Sequence, residues 1–401
     1  MSLFHARQMD AGDPLRRFRA EFVAEAGGPI YLDGNSLGRL PLRAVGLAAD
    51  LVQRQWGERL IRGWNDGWMA LPSRLGAKVA ALIGADADEV LVCDSTSVNL
   101  FKLATAAVAA QAPRRGMVTD RRNFPSDAYI LQSCGDLTIA DDAVAAADGG
   151  TALVSLTQTC FRTAAVYPLA ETTRRVQATG AWMLWDLSHS VGAFAVDLHA
   201  SGAEMAVGCT YKYCNGGPGA PAFLYVRRDL QERLLSPIPG WLGHADPFAF
   251  SLEYRPAAGI QRFLAGTPAV LSMACMEPGL DLLLEAGMGA VEEKSRRLCD
   301  YLIAEADRQL AEFGVTVASP REAVRRGSHV SLRHPEAWRL TQSLINDYGV
   351  IPDFRAPDLI RFGVAPLYNS YEDVCEAVGR LRLALRTKSY ERYDAARLAV
   401  T

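Results

Sequence analysis

The stretch AWMLWDLSHSVGAFAVDL (181–198), followed by MAVGCTYKY (205–213) and NGGPGAPAFLYV (215–226), decides the fold. An apolar run ends on Asp186, and a second leads to Lys212, 26 residues further on. Short apolar runs bounded by turn residues read as buried strands, too brief for helices. Similar runs lie at 89–94, 116–120, 152–157, 182–186, 204–210 and 220–226. Between them, SVNLFKLATAAVAAQA (97–112) and LAETTRRVQATG (169–180) carry helical spacing. Strands alternating with helices predict an α/β chain with a mostly parallel sheet covered on both faces, which binds ligands at the carboxyl ends of its strands.

A long helix is expected over about 279–313, followed by SHVSLR, a helix PEAWRLTQSLINDYG, the strands VIPDFR and LIRFGVAP, and a closing helix YEDVCEAVGRLRLALR. This pattern predicts a compact α+β unit. The expected division is an arm over 1–35 packing on the small unit, a large domain over 36–290 and a small domain over 291–401.

Composition narrows the function. The chain has 401 residues, 49% hydrophobic and 22% charged, with net charge −3. That balance offers no basic footprint for nucleic acid or for an anionic membrane surface. No apolar run approaches the ~20 residues that span a bilayer, and the first 22 residues lack the apolar core of a secretory signal. Eight scattered cysteines show no zinc-ligand spacing, so free thiols, no metal and a cytoplasmic location are expected.

Lysine is scarce: five lysines stand against 37 arginines. A lysine amine can become neutral and form a Schiff base, which a guanidinium cannot do. Lys212 at the end of an apolar run therefore reads as a pyridoxal phosphate lysine. Asp186 reads as the carboxylate that keeps the pyridine nitrogen protonated, its alternative being a helix N-cap. His189 and Tyr211 read as cofactor neighbours, with core or structural roles as their alternatives. DSTSVNL (94–100) places Thr96 and Ser97 at a helix start suited to a phosphate. NGGPGAP (215–221) precedes a strand and fits no phosphate-loop pattern; it reads as a tight turn beside Lys212. Arg361, mid-strand in the small unit, is a fork suited to a carboxylate, or else one surface arginine among many.

Taken in order, YLDGNSLGRLP (31–41), LIRGWNDGW (60–68), DSTSVNLFK (94–102), RRNFPSDAYI (121–130), WDLSHSVGAFAVDLH (185–199), VGCTYKYCNGGPGAPAFLYV (207–226), GWLGH (240–244), RFLAGTP (262–268) and LIRFGVAPLYNSYEDV (359–374) make the chain similar to kynureninases. These are fold type I pyridoxal phosphate enzymes with a large domain built on a seven-stranded sheet. The resemblance implies that Lys212 carries the cofactor, Asp186 meets its ring nitrogen, and Phe124 stacks on the ring. Thr96, Ser97 and Tyr211 would hold the phosphate, with Asp127, Thr157 and His189 lining the cofactor. Trp241 and Thr267 match positions that reach a cofactor across a homodimer interface. Arg361 would bind the substrate α-carboxylate, and Trp64 would face its aromatic part.

The implied reaction is hydrolytic cleavage of L-kynurenine or 3-hydroxykynurenine to the anthranilate and L-alanine, in tryptophan catabolism. Tyr211 is the implied proton donor in the later steps. One segment departs from the family pattern V-N-[YF]-x-T-G: here QTCFRTA (158–164) places Cys160 and Ala164 near the cofactor. That leaves open a ring-substituted kynurenine of secondary metabolism. Another fold type I lyase, such as a cysteine desulfurase, is a further alternative, as is a non-enzymatic binding module.

Overall fold

The computed structural model describes residues 3–25 and 27–394. A two-residue strand β1 (Ile30–Tyr31) comes first. It is followed by β2 (Val90–Val92), β3 (Gly116–Asp120), β4 (Asp136–Ala140), β5 (Thr151–Thr157), β6 (Trp182–Asp186), β7 (Met205–Gly208) and β8 (Phe223–Val226). Those seven form one sheet in the order β2-β8-β7-β6-β5-β3-β4. Pairing is parallel from β7 through β4, and β8 runs antiparallel to both of its neighbours.

Every residue of β5, β7 and β8 is buried, as helices on both faces require. Two apolar clusters, one on each face, form this core; Trp185 and Met183 belong to one, Leu184 and Leu153 to the other. Each fully buried Leu or Val contributes about 1.5–3 kcal/mol of transfer free energy. β4 has no counterpart among the sequence-predicted strands. It is a half-exposed edge strand of mixed polarity, DLTIA, without the apolar run that marks the central strands.

The expected single helix over 279–313 is two helices, Val270–Ala286 and Met288–Leu310. Gly287, at φ +78°, breaks them in a backbone region where glycine carries no Cβ penalty. Beyond the break lie β9 (Thr316–Val317), β10 (His329–Arg333), β11 (Val350–Ile351), β12 (Asp353–Arg355) and β13 (Leu359–Gly363). β12, β13, β10 and β9 make an antiparallel sheet, while β11 pairs in parallel with β1. The expected strand VIPDFR is thus divided at Pro352, which has no N–H for a ladder. A third apolar cluster fills this unit, and Ala6, Ile30 and Leu32 from the chain's start join it. The N-terminal segment is also tied by charge: Arg7 bonds Glu372, Arg19 bonds Asp373, and Asp13 meets the buried Lys294 at 2.6 Å.

No helix among the described residues is long and apolar enough to cross a membrane. Gly279 lies where the helix Val270–Ala286 presses on the turn after Lys212. A Cβ there would stand 2.1 Å from the Cys214 carbonyl oxygen. Gly279→Ala is therefore expected to destabilise the chain by about 1–3 kcal/mol through overpacking. An unchanged urea midpoint for the variant would refute that close approach.

Candidate active site

Parallel register sets the site. Thr157 ends β5 opposite Asp186 at the end of β6, and Asp186 in turn pairs with Val207 of β7. Both side chains therefore emerge at one edge of the sheet. Asp186 is 4% exposed. Its Oδ1 accepts from the Ser188 amide at 2.8 Å, and its Oδ2 accepts from the Thr157 hydroxyl at 3.4 Å. Turns rather than a helix follow it, so Asp186 is not a helix cap. Burial raises its carboxyl above the ordinary range, opposed by Ser188 and by the Lys212 charge.

Asp127, in the first turn of the helix Pro125–Cys134, stands beside it. Its Oδ2 is buried without a hydrogen-bond partner. Burial first, and the Asp186 charge second, push its carboxyl well above the usual value. Two buried acids with one lysine nearby make an electron-rich floor that a cationic ring nitrogen would relieve.

Tyr211 and Lys212 follow directly on the strand expected over 204–210. The strand ends earlier, at Gly208, and both residues occupy the turn that follows. There the Asn215 amide donates to the Lys212 carbonyl at 2.9 Å and the Gly216 amide donates to that of Thr210 at 3.0 Å. The turn needs close backbone approach: a Cβ on Gly38 would fall 2.3 Å from the Lys212 carbonyl oxygen. The Lys212 Nζ lies 2.9 Å from Nε2 of His189 and 5.8 Å from the Tyr211 ring centroid. His189 is 5% exposed and its Nδ1 has no partner. Burial, then the Lys212 and Arg361 charges, hold its imidazole well below the usual value, so it is neutral at physiological pH. The Tyr211 phenol is held above its ordinary value, first by the neighbouring Cys209 and then by burial.

Thr96 and Ser97 open the helix Thr96–Ala110, whose N-cap Ser95 accepts from the Val98 amide at 3.3 Å. β2 points the same way as β7, because both run antiparallel to the β8 between them. The helix therefore starts at the edge that carries Asp186. Asp94 precedes it in a left-handed conformation, φ +48°, and is paired with the fully buried Lys102. A cavity of about 530 Å³ opens here, lined by Asp94, Ser95, Tyr211 and Thr267. Phe124, the N-cap of the helix that carries Asp127, is half-exposed, its ring edge-to-face with Phe161 at 5.2 Å.

Arg361 is not a surface arginine. It is fully buried on β13, opposite Asp353 of β12 and Ser331 of β10. Its Nε donates to Asp353 Oδ1 at 2.7 Å, and its Nη2 donates to Asp353 Oδ2 and to the Ser36 hydroxyl, the latter at 3.2 Å. Burial opposes ionisation of Asp353, yet Arg361 and Arg355 hold its carboxyl below the ordinary range.

Trp64 and Trp241 make their ring contacts elsewhere, with Trp68 at 5.5 Å and Phe248 at 5.9 Å. Among the described residues, neither has a hydrogen bond or ring contact with the Lys212 cluster. Asn123 and Asp353 were not singled out from sequence. Asn123 accepts from the Thr157 hydroxyl and from the Phe124 amide, tying β5 to the helix that carries Asp127. The only sequence signal was their place inside RRNFPSDAYI and VIPDFR, which assigns no role.

The donor set fits pyridoxal phosphate. It offers an amine on Lys212, a buried acid for a ring nitrogen, hydroxyls at a helix N-terminus for a phosphate, and buried acceptors that the chain itself leaves unmatched.

Known proteins similar to the chain identify its family. A profile described as the kynureninase C-terminal domain matches residues 291–381. A kynureninase of Burkholderia mallei (strain SAVP1) is 43% identical, over 99% of both chains. One of Pseudomonas fluorescens is 42% identical, over 95% of both. Among solved structures, a cysteine desulfurase from Thermococcus onnurineus NA1 superposes with TM-score 0.76 at 19% identity, covering 90% of this chain and 95% of that one. A C-DES mutant with glycine covalently linked to its PLP cofactor gives 0.79 at 18%, covering 91% and 98%. At such identities the solved structures share only the fold. The near-full-length relatives decide the family: the chain belongs to the kynureninases, pyridoxal phosphate enzymes of fold type I.

Proposed function

We propose that the chain hydrolyses the Cβ–Cγ bond of L-kynurenine, or of its 3-hydroxy form, to release the anthranilate and L-alanine. The observation that carries this reading is Lys212 Nζ within 2.9 Å of a neutral, buried His189, at the sheet edge where Asp186 is also buried. A lysine so placed has a neutral acceptor beside it and two acids nearby.

When bound, pyridoxal phosphate draws electron density from the substrate α-carbon. Lys212 would hold the cofactor at rest and, once displaced, remove the α-proton. Asp186 would hold the ring nitrogen, with Asp127, Thr157 and His189 lining the ring and Phe124 covering it. Thr96, Ser97 and Tyr211 would bind the phosphate, and Arg361 the α-carboxylate. Water adds its hydroxyl to the γ-carbonyl carbon, the Cβ–Cγ bond breaks, and the aryl acid leaves. Tyr211, a neutral phenol beside Lys212, would supply the proton that completes the alanine methyl group.

The alternative desulfurase chemistry lacks support. Cys375 sits within the helix Tyr371–Thr387 and packs on the small-unit core rather than on a free loop. A substituted aryl ring keeps one argument in its favour. Cys160 departs from the family pattern and lines a cavity of about 890 Å³ together with Thr157 and Tyr167.

A homodimer is part of the same reading. Trp241, Phe248, Phe250 and Leu252 are exposed together, and Thr267 lines the cavity beside Tyr211. Trp64 would meet the aromatic end of the substrate in that assembly. Eight free cysteines support a cytoplasmic location. A large domain over 36–290 and a small domain over 291–401 are part of the reading, supported by the separate clusters around the two sheets. The arm over 1–35 divides between them, with Ala6, Ile30 and Leu32 on the small-unit core and Leu15, Phe18 and Phe22 on the large one. Residues 1–2, 26 and 395–401 lie outside the described residues.

Anthranilate fluorescence, followed on kynurenine and 3-hydroxykynurenine side by side, tests the activity; no release from either overturns the reading. Lys212→Ala is expected to lower turnover at least about a thousandfold. Tyr211→Phe should retain cofactor, judged by visible absorbance, while single-turnover product formation slows about 10²-fold or more. Unchanged single-turnover rates would exclude Tyr211 as the proton donor. The raised carboxyl of Asp127 also has a pH consequence. Its folded form binds a proton more tightly than the unfolded form, so cofactor-free stability falls as pH rises from the unfolded value, near 4, towards the raised folded one. Asp127→Asn should remove that fall, making the cofactor-free chain more stable than wild type at pH 7.5 but not at pH 4. Parallel melting curves for the two proteins across this range would disprove the assignment.

A further inference from the structure

Arg361 has five N–H donors, and four are already engaged. Two meet Asp353, one meets Ser36, and Nη1 donates to the carbonyl oxygen of Phe161. The side chain has no exposed surface. An incoming carboxylate therefore cannot reach this guanidinium as a fork unless some acceptor withdraws. Asp353 is charged, doubly bonded and fixed in the neighbouring strand, so it will not be the one to leave. The Phe161 carbonyl is neutral and sits on a loop.

That loop, 158–164, straps the large sheet to the small one. The Arg162 carbonyl accepts from the Ser331 hydroxyl, and the Ala164 carbonyl accepts from the Gly327 amide at 2.8 Å. Ser331 and Arg361 are register partners, so the strap crosses one face of the small sheet at a single pair. Ala164 is buried with φ +62°, a conformation costly for any residue with a Cβ. The strap is thus held down by a few hydrogen bonds against local backbone strain. At its centre, the Phe161 ring lies edge-to-face with Phe124, 5.2 Å between centroids. One residue touches both the arginine and the Phe124 ring.

We infer that Phe161 is a positioning residue that reports carboxylate binding to the cofactor site: the substrate carboxylate displaces the Phe161 carbonyl from Arg361, and the ring attached to it shifts against Phe124. The inference rests on the reading of Arg361 as the carboxylate site. It explains why a charged donor should be closed off by a neutral acceptor on a strained loop. Binding then includes breaking the strap, and the strap's contacts weigh against affinity.

Amide hydrogen exchange on the cofactor-loaded chain tests this, with L-alanine and L-alaninol as probes that differ in the carboxylate. L-alanine should raise exchange across 159–166 and at Gly327 by about threefold or more, and L-alaninol should not. Unchanged or slower exchange with L-alanine, or an equal response to both, overturns the inference. Ser331→Ala removes one tie and should therefore bind L-alanine more tightly by calorimetry, about two- to tenfold, the worth of one neutral hydrogen bond. Equal or weaker binding by that variant counts against the strap. If the wild-type loaded chain binds L-alanine no better than L-alaninol, the assignment of Arg361 itself fails, and the inference falls with it.

Discussion

Parallel pairing of β5, β6 and β7 forces Thr157 and Asp186 onto one edge of a sheet that water does not reach, and the site is organised around the carboxylate left there. An acid in that position is disfavoured unless something offsets it. Ser188 and Thr157 supply hydrogen bonds, and Lys212 supplies charge. Asp127 does the opposite, adding a second buried acid with an oxygen that no group among the described residues satisfies. The imbalance suits a pocket whose missing partner is a protonated heterocycle.

The second charged centre is balanced internally. Arg361 and Asp353 face each other across neighbouring strands and share Ser36, so this pair is nearly complete without a ligand. The two centres differ in readiness: the Asp186 cluster is open to a cation, whereas Arg361 is covered. The loop 158–164 lies between them, leaving β5 beside Asp186 and ending against the small sheet. Segments that join two units in this way can carry information between them, because moving one end strains the other.

Much of this was legible along the chain. β3 and β6 coincide with their apolar runs, and β5 differs by one residue. Lys212 stood out because a chain rich in arginine had kept a lysine there. β4 was missed because an edge strand needs no apolar run. Three elements differ from their expected spans: the strand before Lys212 stops at Gly208, one long helix is two at Gly287, and VIPDFR divides at Pro352. The first two depend on a backbone requirement, close approach or positive φ, that residue type signals weakly when glycines are common, and the third on a proline that cannot donate to a ladder.

By itself the sequence determined the α/β class and the ordered family segments, and it singled out Lys212 and Asp186. Those depend on local patterns of burial and on residue chemistry, which are read residue by residue. Only the tertiary structure decided that Asp127 adds to the Asp186 problem, that Asn123 links Thr157 to Phe124, and that Arg361 is already occupied. Those facts depend on which atoms meet across tens or hundreds of residues. Hydrogen-bond valence and desolvation are properties of the packed site, not of the chain.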